Sequence, residues 1–172
     1  NNLDKERLNK LLKINGVDEN SSIFFLCGKE DEIREFAATS RMKIGNELKL
    51  IKQNEFHFCW IIDYPMFQNN LETNKIEFSH NPFSMPQGEL EILNTKNPLE
   101  IKAYQYDIVC NGVELSSGAI RNHKPDIMIK AFEIAGYSKK DLEKQFGGLL
   151  QALSFGAPPH GGCAPGIDRI VM

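Results

Sequence analysis

The chain lacks most of the features that would announce a function cheaply. No apolar run in its 172 residues approaches the ~20 needed to span a membrane, so insertion as a transmembrane helix is excluded and no membrane partner is expected. Its four cysteines, Cys27, Cys59, Cys110 and Cys163, never form a Cys-x-x-Cys pair, which removes the usual signals for zinc or a redox couple and fits reduced thiols in a cytoplasmic protein. There is no excess of positive charge: 20 Lys+Arg stand against 23 Asp+Glu, a net charge of −3, with a pI near 5.8. A surface that coats nucleic acid through bulk charge is therefore not expected, and any such contact must be local or made by residues outside this chain. A Walker loop and a Gly-x-Gly-x-x-Gly fingerprint are both missing. No Ser–His–Asp or Cys–His arrangement stands out by spacing. The rest of the composition, 41% hydrophobic and 25% charged with a mean hydropathy of −0.35, is that of an ordinary globular chain.

The chain opens on Asn1-Asn2 and closes inside the apolar run Arg169-Ile170-Val171-Met172, which leads us to expect a piece of a longer protein. Residues 3–14 place Leu8, Leu11, Leu12 and Ile14 at helical spacing, with Asn15-Gly16 as the stop. Residues 22–27 are short, aromatic and β-branched, the pattern of a buried strand ended by Gly28. A second helix is expected over residues 30–43, closed by Gly45. Near residue 50 the texture changes, and we divide the chain into domains 1–50 and 51–172. Strands are expected at 56–63 and 76–79, with 87–98 irregular. Asn111-Gly112, between alternating residues 103–110 and 113–120, is the preferred turn of a type I′ hairpin. Pro125 opens a helix through Ala135, and Ser138-x-x-Asp141 caps another that runs to about Ser154. A rigid loop from Gly156 to Gly162 leads to a last strand and a helix starting near Gly166. Hairpin-joined strands followed by helices argue for an α+β fold with an antiparallel sheet.

An unbroken hairpin with this turn sets Cys110 opposite Val113, Val109 opposite Glu114 and Asp107 opposite Ser116. Asp107 and Glu114 then project from one face as diagonal neighbours, ~6–8 Å apart, where two carboxylates can share a hard cation. A half-solvated sheet face explains them equally well. Arg121 falls at the opposite parity, unless a bulge at Ser116-Ser117-Gly118 returns it to the carboxylate side. There it suits a carboxylate or phosphate ligand, or an ion pair with Asp107 or Glu114. The stretch Gly161-Gly162-x-x-x-Gly166-x-x-Arg169 allows close backbone approach, and Arg169 is either an anion contact or a surface cation. His80 sits where a strand enters the turn Asn81-Pro82-Phe83, a common place for a ligand-binding residue. His160 shapes its Pro- and Gly-rich loop; His57 and His123 read as structural.

Taken together, Trp60-Ile61-Ile62-Asp63-Tyr64-Pro65-Met66-Phe67, Ser79-His80-Asn81-Pro82-Phe83, residues 106–115, Ala119-Ile120-Arg121 and the run from Gly156 through Gly166-Ile167-Asp168-Arg169 resemble the C-terminal half of the catalytic domain of class II aminoacyl-tRNA synthetases, in the bacterial aspartyl-tRNA synthetase group. The last element is similar to that family's motif 3, and residues 1–50 are similar to the end of its GAD-like insertion domain. The resemblance implies ATP-dependent activation of L-aspartate and transfer to a tRNA 3′ end, with ATP and Mg²⁺ required. It implies that Asp107 and Glu114 hold Mg²⁺, that Arg121 pairs with the aspartate side chain near His80, and that Arg169 contacts ATP against a wall shaped by Gly166, Ile167 and Asp168. A homodimeric parent is implied as well. Many members carry a second His where this chain has Asn81, and a glycine run where it has Ser116-Ser117.

Motif 1, the motif 2 arginine that holds the α-phosphate and the anticodon-binding barrel are not found in these residues, so on its own this stretch is expected to be inactive. Two alternatives stay open: an aspartate-activating amide ligase that dispenses with tRNA, and a non-catalytic synthetase-like module. Whether asparagine tRNA is also charged is not legible here.

Overall fold

The computed structural model describes residues 4–13, 17–18, 20–52 and 54–172, without the side chains of residues 30–32. The chain divides into two units, residues 1–55 and 56–172. The first holds two helices, α1 (Lys5–Leu12) and α2 (Glu30–Glu47). Asp4 caps α1 by accepting from the Arg7 backbone N–H at 2.8 Å. The expected stop at Asn15-Gly16 lies outside the described residues. Residues 22–27, expected as a buried strand, have no ladder partner among the described residues, and Phe24 and Phe25 are 72% and 69% exposed. The described part of this unit offers no neighbouring strand to take up their backbone groups. Gly45, expected as the end of α2, lies inside it; the helix ends only where Lys49 turns to φ 55.

In the second unit, β1 (Phe58–Ile62), β4 (Gln105–Cys110), β5 (Val113–Ile120) and β6 (Gly161–Pro165) form an antiparallel sheet in the order β1-β4-β5-β6. The fold is α+β. Between β1 and β4 run β2 (Phe67–Asn69) and β3 (Ile76–Phe78), paired with each other, and α3 (Glu89–Thr95). α4 (Pro125–Ile134), α5 (Lys139–Ser154) and the short α6 (Ile167–Val171) complete it. α3 falls where an irregular stretch was expected: the helix is short, and burial of Leu93 rather than a long periodic pattern holds it in place.

Two apolar clusters anchor this unit, and α4 serves both. Ile127 and Ala131, one turn apart, pack with Met66, Phe67, Met85, Leu93, Ile101 and Ala103. Met128 and Phe132 face Leu142 and Leu153. Each such side chain contributes roughly 1.5–3 kcal/mol on burial, so the helix braces the strand ends against α5. That bracing positions the loops at the sheet's end. Asn111 at φ 49 and Gly112 at φ 84 supply the two positive-φ residues of the hairpin turn. The four cysteines are free, and no helix among the described residues is long and apolar enough to cross a membrane.

Candidate active site

The hairpin register departs from an unbroken ladder. Cys110 faces Val113 and Val109 faces Glu114, as the turn requires, but Ile108 faces Ser116 and Asp107 faces Ser117. Leu115 is therefore the extra residue of a β-bulge. Asp107 opposite Ser116 is thus corrected to Asp107 opposite Ser117, and the bulge sits one residue before the Ser116-Ser117-Gly118 stretch expected to hold it. The consequence is the expected one: beyond Leu115 the parity of β5 shifts, and Ser117, Ala119 and Arg121 share a face with Glu114 and Asp107.

Gly118 has another reason to be glycine. A Cβ there would lie 2.4 Å from Cε2 of Tyr106 and 2.7 Å from the Gly162 carbonyl oxygen. Tyr106 stands directly opposite Gly118 and donates to that same carbonyl at 3.1 Å. The missing side chain lets the ring cross the strand and tie β4 to β6.

That face of the sheet lines a cavity of about 880 Å³, bordered by Asp107, Glu114, Arg121, Tyr64, His80 and His160 among others. The volume suits a small-molecule site. Arg121 is half-buried, and its backbone N–H is fixed on the His160 carbonyl at 2.8 Å. Among the described residues its guanidinium has no hydrogen-bond or ion-pair partner, although Asp107 and Glu114 line the same cavity. The ion pair that would make Arg121 a mere neutraliser of the sheet is not formed. His160 turns Nδ1 to the Pro158 carbonyl at 2.8 Å, which ties up its own loop.

The loop carrying His80 is fastened at both levels. Asn81 Oδ1 accepts from the Phe83 backbone N–H at 2.9 Å, an Asx turn, and the Asn81 carbonyl accepts from Gln105 Nε2 at 3.1 Å. His80 is exposed and meets the Tyr64 ring edge-on, with centroids 5.0 Å apart. The Tyr64 hydroxyl donates to Asp107 Oδ2. Partial burial, then this hydrogen bond, and then the charges of Asp107 and Glu114 push the phenol up to about 12. Tyr64 and Gln105 are among the wall residues that sequence reasoning passed over, as are Asn122, Leu149 and Leu153. The signal for Gln105 was its even spacing from Asp107; Tyr64 carried none, because regular alternation after Ile62 places it on the other face.

Residues 2–172 match the family of class II tRNA synthetases (D, K and N). The chain belongs to this family. Its relatives include aspartate–tRNA(Asp/Asn) ligases of Pelagibacter ubique (strain HTCC1062), 61% identical over 168 residues, and of Gluconobacter oxydans (strain 621H), 59% identical over 171. The alignments cover 98% and 99% of this chain but 28% and 29% of those proteins. Among solved structures, an aspartyl tRNA synthetase from Entamoeba histolytica is 20% identical with a TM-score of 0.49, covering 83% of this chain and 27% of that one.

The synthetase segment that resembles motif 3 is placed less simply than Asp107, Glu114 and Arg121. Gly166 extends the ladder by donating to the Leu115 carbonyl at 2.8 Å, and Ile167 and Asp168 are exposed and are not among the residues that line the cavity. Arg169 lines a second cavity, of about 510 Å³, on the opposite face with Trp60, Tyr106 and Ile108. Its Nη1 nevertheless reaches Glu114, donating to the backbone carbonyl at 2.7 Å and to Oε1 at 3.1 Å. Both partners are about half exposed, so the pair itself adds little stability.

Two oxygen-donor side chains on one strand pair suit a hard divalent cation. Among the described residues no cluster of three or more His, Cys, Asp or Glu could hold a metal unaided. Asp107 and Glu114 are two carboxylates, and Mg²⁺ is commonly bound by one or two, with phosphates and water completing its shell.

Proposed function

We propose that this chain forms part of an aspartate–tRNA ligase, its cavity taking L-aspartate and ATP and its product being aspartyl-tRNA. The observation that carries the reading is the half-buried guanidinium of Arg121, without a partner among the described residues, in a cavity that also holds two carboxylates. An acidic substrate side chain completes that arrangement: Arg121 offers a planar fork to a carboxylate, while Asp107 and Glu114 repel an acid placed nearer to them. His80 stands in the wall nearest the amino acid.

Asp107 and Glu114 would hold Mg²⁺, which supplies charge neutralisation on the phosphate oxygens when bound. Arg169 brings its guanidinium to Glu114 from the opposite face of the sheet, and a nucleotide that meets Gly166, Ile167 and Asp168, as the family resemblance implies, extends past Glu114 beyond the residues that line the cavity. In the first step an aspartate α-carboxylate oxygen bonds to the ATP α-phosphorus as the bond to pyrophosphate breaks. In the second, the tRNA 3′-terminal hydroxyl attacks the activated carbonyl and AMP leaves. The chain's own contribution is orientation and charge complementarity rather than proton transfer. Residues 1–50 belong to an insertion domain in this reading, and the complete protein acts as a homodimer in the cytoplasm. Since relatives at 59–61% identity are named for both aspartate and asparagine tRNA, the complete protein charges both.

The test is amino-acid-dependent ATP–pyrophosphate exchange by the complete gene product, followed by charging of purified tRNAs. L-Aspartate should support exchange and asparagine or glutamate should not, with aspartate then appearing on both tRNAs. Exchange driven by another amino acid would overturn the substrate, and aspartate converted to an amide without tRNA would overturn the ligase assignment.

A further inference from the structure

Tyr64 reaches the cavity only because the strand before it is bent. Along β1, Ile61 stands opposite Asp107 and Ile62 opposite Tyr106, so continued alternation would turn Asp63 toward the cavity face and Tyr64 away from it. Asp63 instead adopts φ 62, a left-handed conformation that short polar residues such as Asp tolerate best. Its carboxylate is held by Gln87 Nε2 at 2.9 Å and Lys102 Nζ at 3.0 Å, and the Tyr64 carbonyl accepts from the Ala103 N–H at 2.8 Å. The kink is thus pinned from both sides, and it swings the Tyr64 ring onto the face of Asp107, Glu114 and Arg121.

There the ring touches two parts of the site at once. Its hydroxyl donates to Asp107 Oδ2, and its ring meets His80 of the loop above in an edge-on contact. Because the hydroxyl engages Oδ2, Oδ1 is the Asp107 oxygen without a hydrogen-bond partner among the described residues and the one open to a cation.

We propose that Tyr64 is a positioning residue of this site: its hydroxyl orients the Asp107 carboxylate toward the divalent ion, and its ring ties that carboxylate to the His80 loop. The inference rests on the reading of Asp107 as a metal ligand. It adds a residue whose role is separable from that ligand, because replacing Tyr64 with Phe keeps the ring against His80 and removes only the hydroxyl.

The test uses the complete gene product with ATP and Mn²⁺ as the probe, the free Mn²⁺ being read by electron paramagnetic resonance. Outer-shell partners of metal ligands typically govern about 10–100-fold in affinity. We expect Tyr64→Phe to weaken Mn²⁺ binding by at least ~10-fold, with the aspartate KM in pyrophosphate exchange unchanged. Tyr64→Leu, which also removes the ring, should in addition raise the aspartate KM. If Asp107→Asn loses the ion while Tyr64→Phe binds it like the wild type, the role of Tyr64 is overturned and the metal assignment stands. If Asp107→Asn itself binds Mn²⁺ normally, the metal assignment falls and takes the inference with it.

Discussion

Glu114, in β5, and Arg121, the residue just past its end, stand at odd spacing and yet face the same cavity. The bulge at Leu115 makes this possible, since Val109 pairs with Glu114 while Ile108 pairs with Ser116. One inserted residue therefore brings a cation to the same side as two carboxylates, and the site's charge pattern follows from the ladder.

Glu114 is the first place to test that pattern. Glu114→Ala removes a proposed Mg²⁺ ligand together with the acceptor that holds Arg169 Nη1 at 3.1 Å. In the complete gene product we expect pyrophosphate exchange to fall by ~100-fold or more, from the several kcal/mol of charge stabilisation a metal supplies, and raised Mg²⁺ should not restore it. Unchanged ATP affinity and rate would remove Glu114 from the metal site.

Gly118 should be intolerant of even a methyl group. Gly118→Ala places a Cβ against the Tyr106 ring and the Gly162 carbonyl, so we expect a loss of about 1–3 kcal/mol and faster hydrogen exchange along β5 and β6. Gly148→Ala, in the exposed interior of α5 where the new Cβ meets nothing within 4 Å beyond its chain neighbours and its own helix backbone, should instead stabilise by about 0.4–1 kcal/mol. Equal effects at the two glycines would refute the packing account.

The hairpin and the helix caps were legible from local chemistry. Asn111-Gly112 dictates its turn, and Ser138 with Asp141 spells a capping box that the structure forms. The shared face of Asp107, Glu114 and Arg121 was legible only through the possibility of a bulge, because nothing in the residue types at 115–118 says which one is extra. Tyr64 was illegible for a related reason: a single positive φ at Asp63 reverses parity without changing any pattern. α3 and the unpaired residues 22–27 depend on neighbours in space, the first on burial of Leu93 and the second on a strand the described residues do not provide.

The Ser138–Asp141 box gives a pH-dependent prediction. Hydrogen bonds from the Ser138 hydroxyl and backbone hold the Asp141 carboxyl below its ordinary 3.8. A pKa lowered by folding contributes stability that is present above that value and lost as pH falls through the folded one. We expect Ser138→Ala to cost about 0.5–2 kcal/mol at neutral pH, and the difference between wild type and Asp141→Asn to shrink as the pH drops below 3.8. A difference that grows in acid would contradict the cap's electrostatic part.

The central claim is that Arg121 receives the substrate's acidic side chain, and Arg121→Leu tests it most directly in aspartate-dependent pyrophosphate exchange by the complete gene product. Truncating one partner of a desolvated, hydrogen-bonded charge pair costs about 2–5 kcal/mol, so kcat/KM for aspartate should fall by roughly 30- to 5,000-fold. Exchange at a near-normal kcat/KM in that variant would contradict the account.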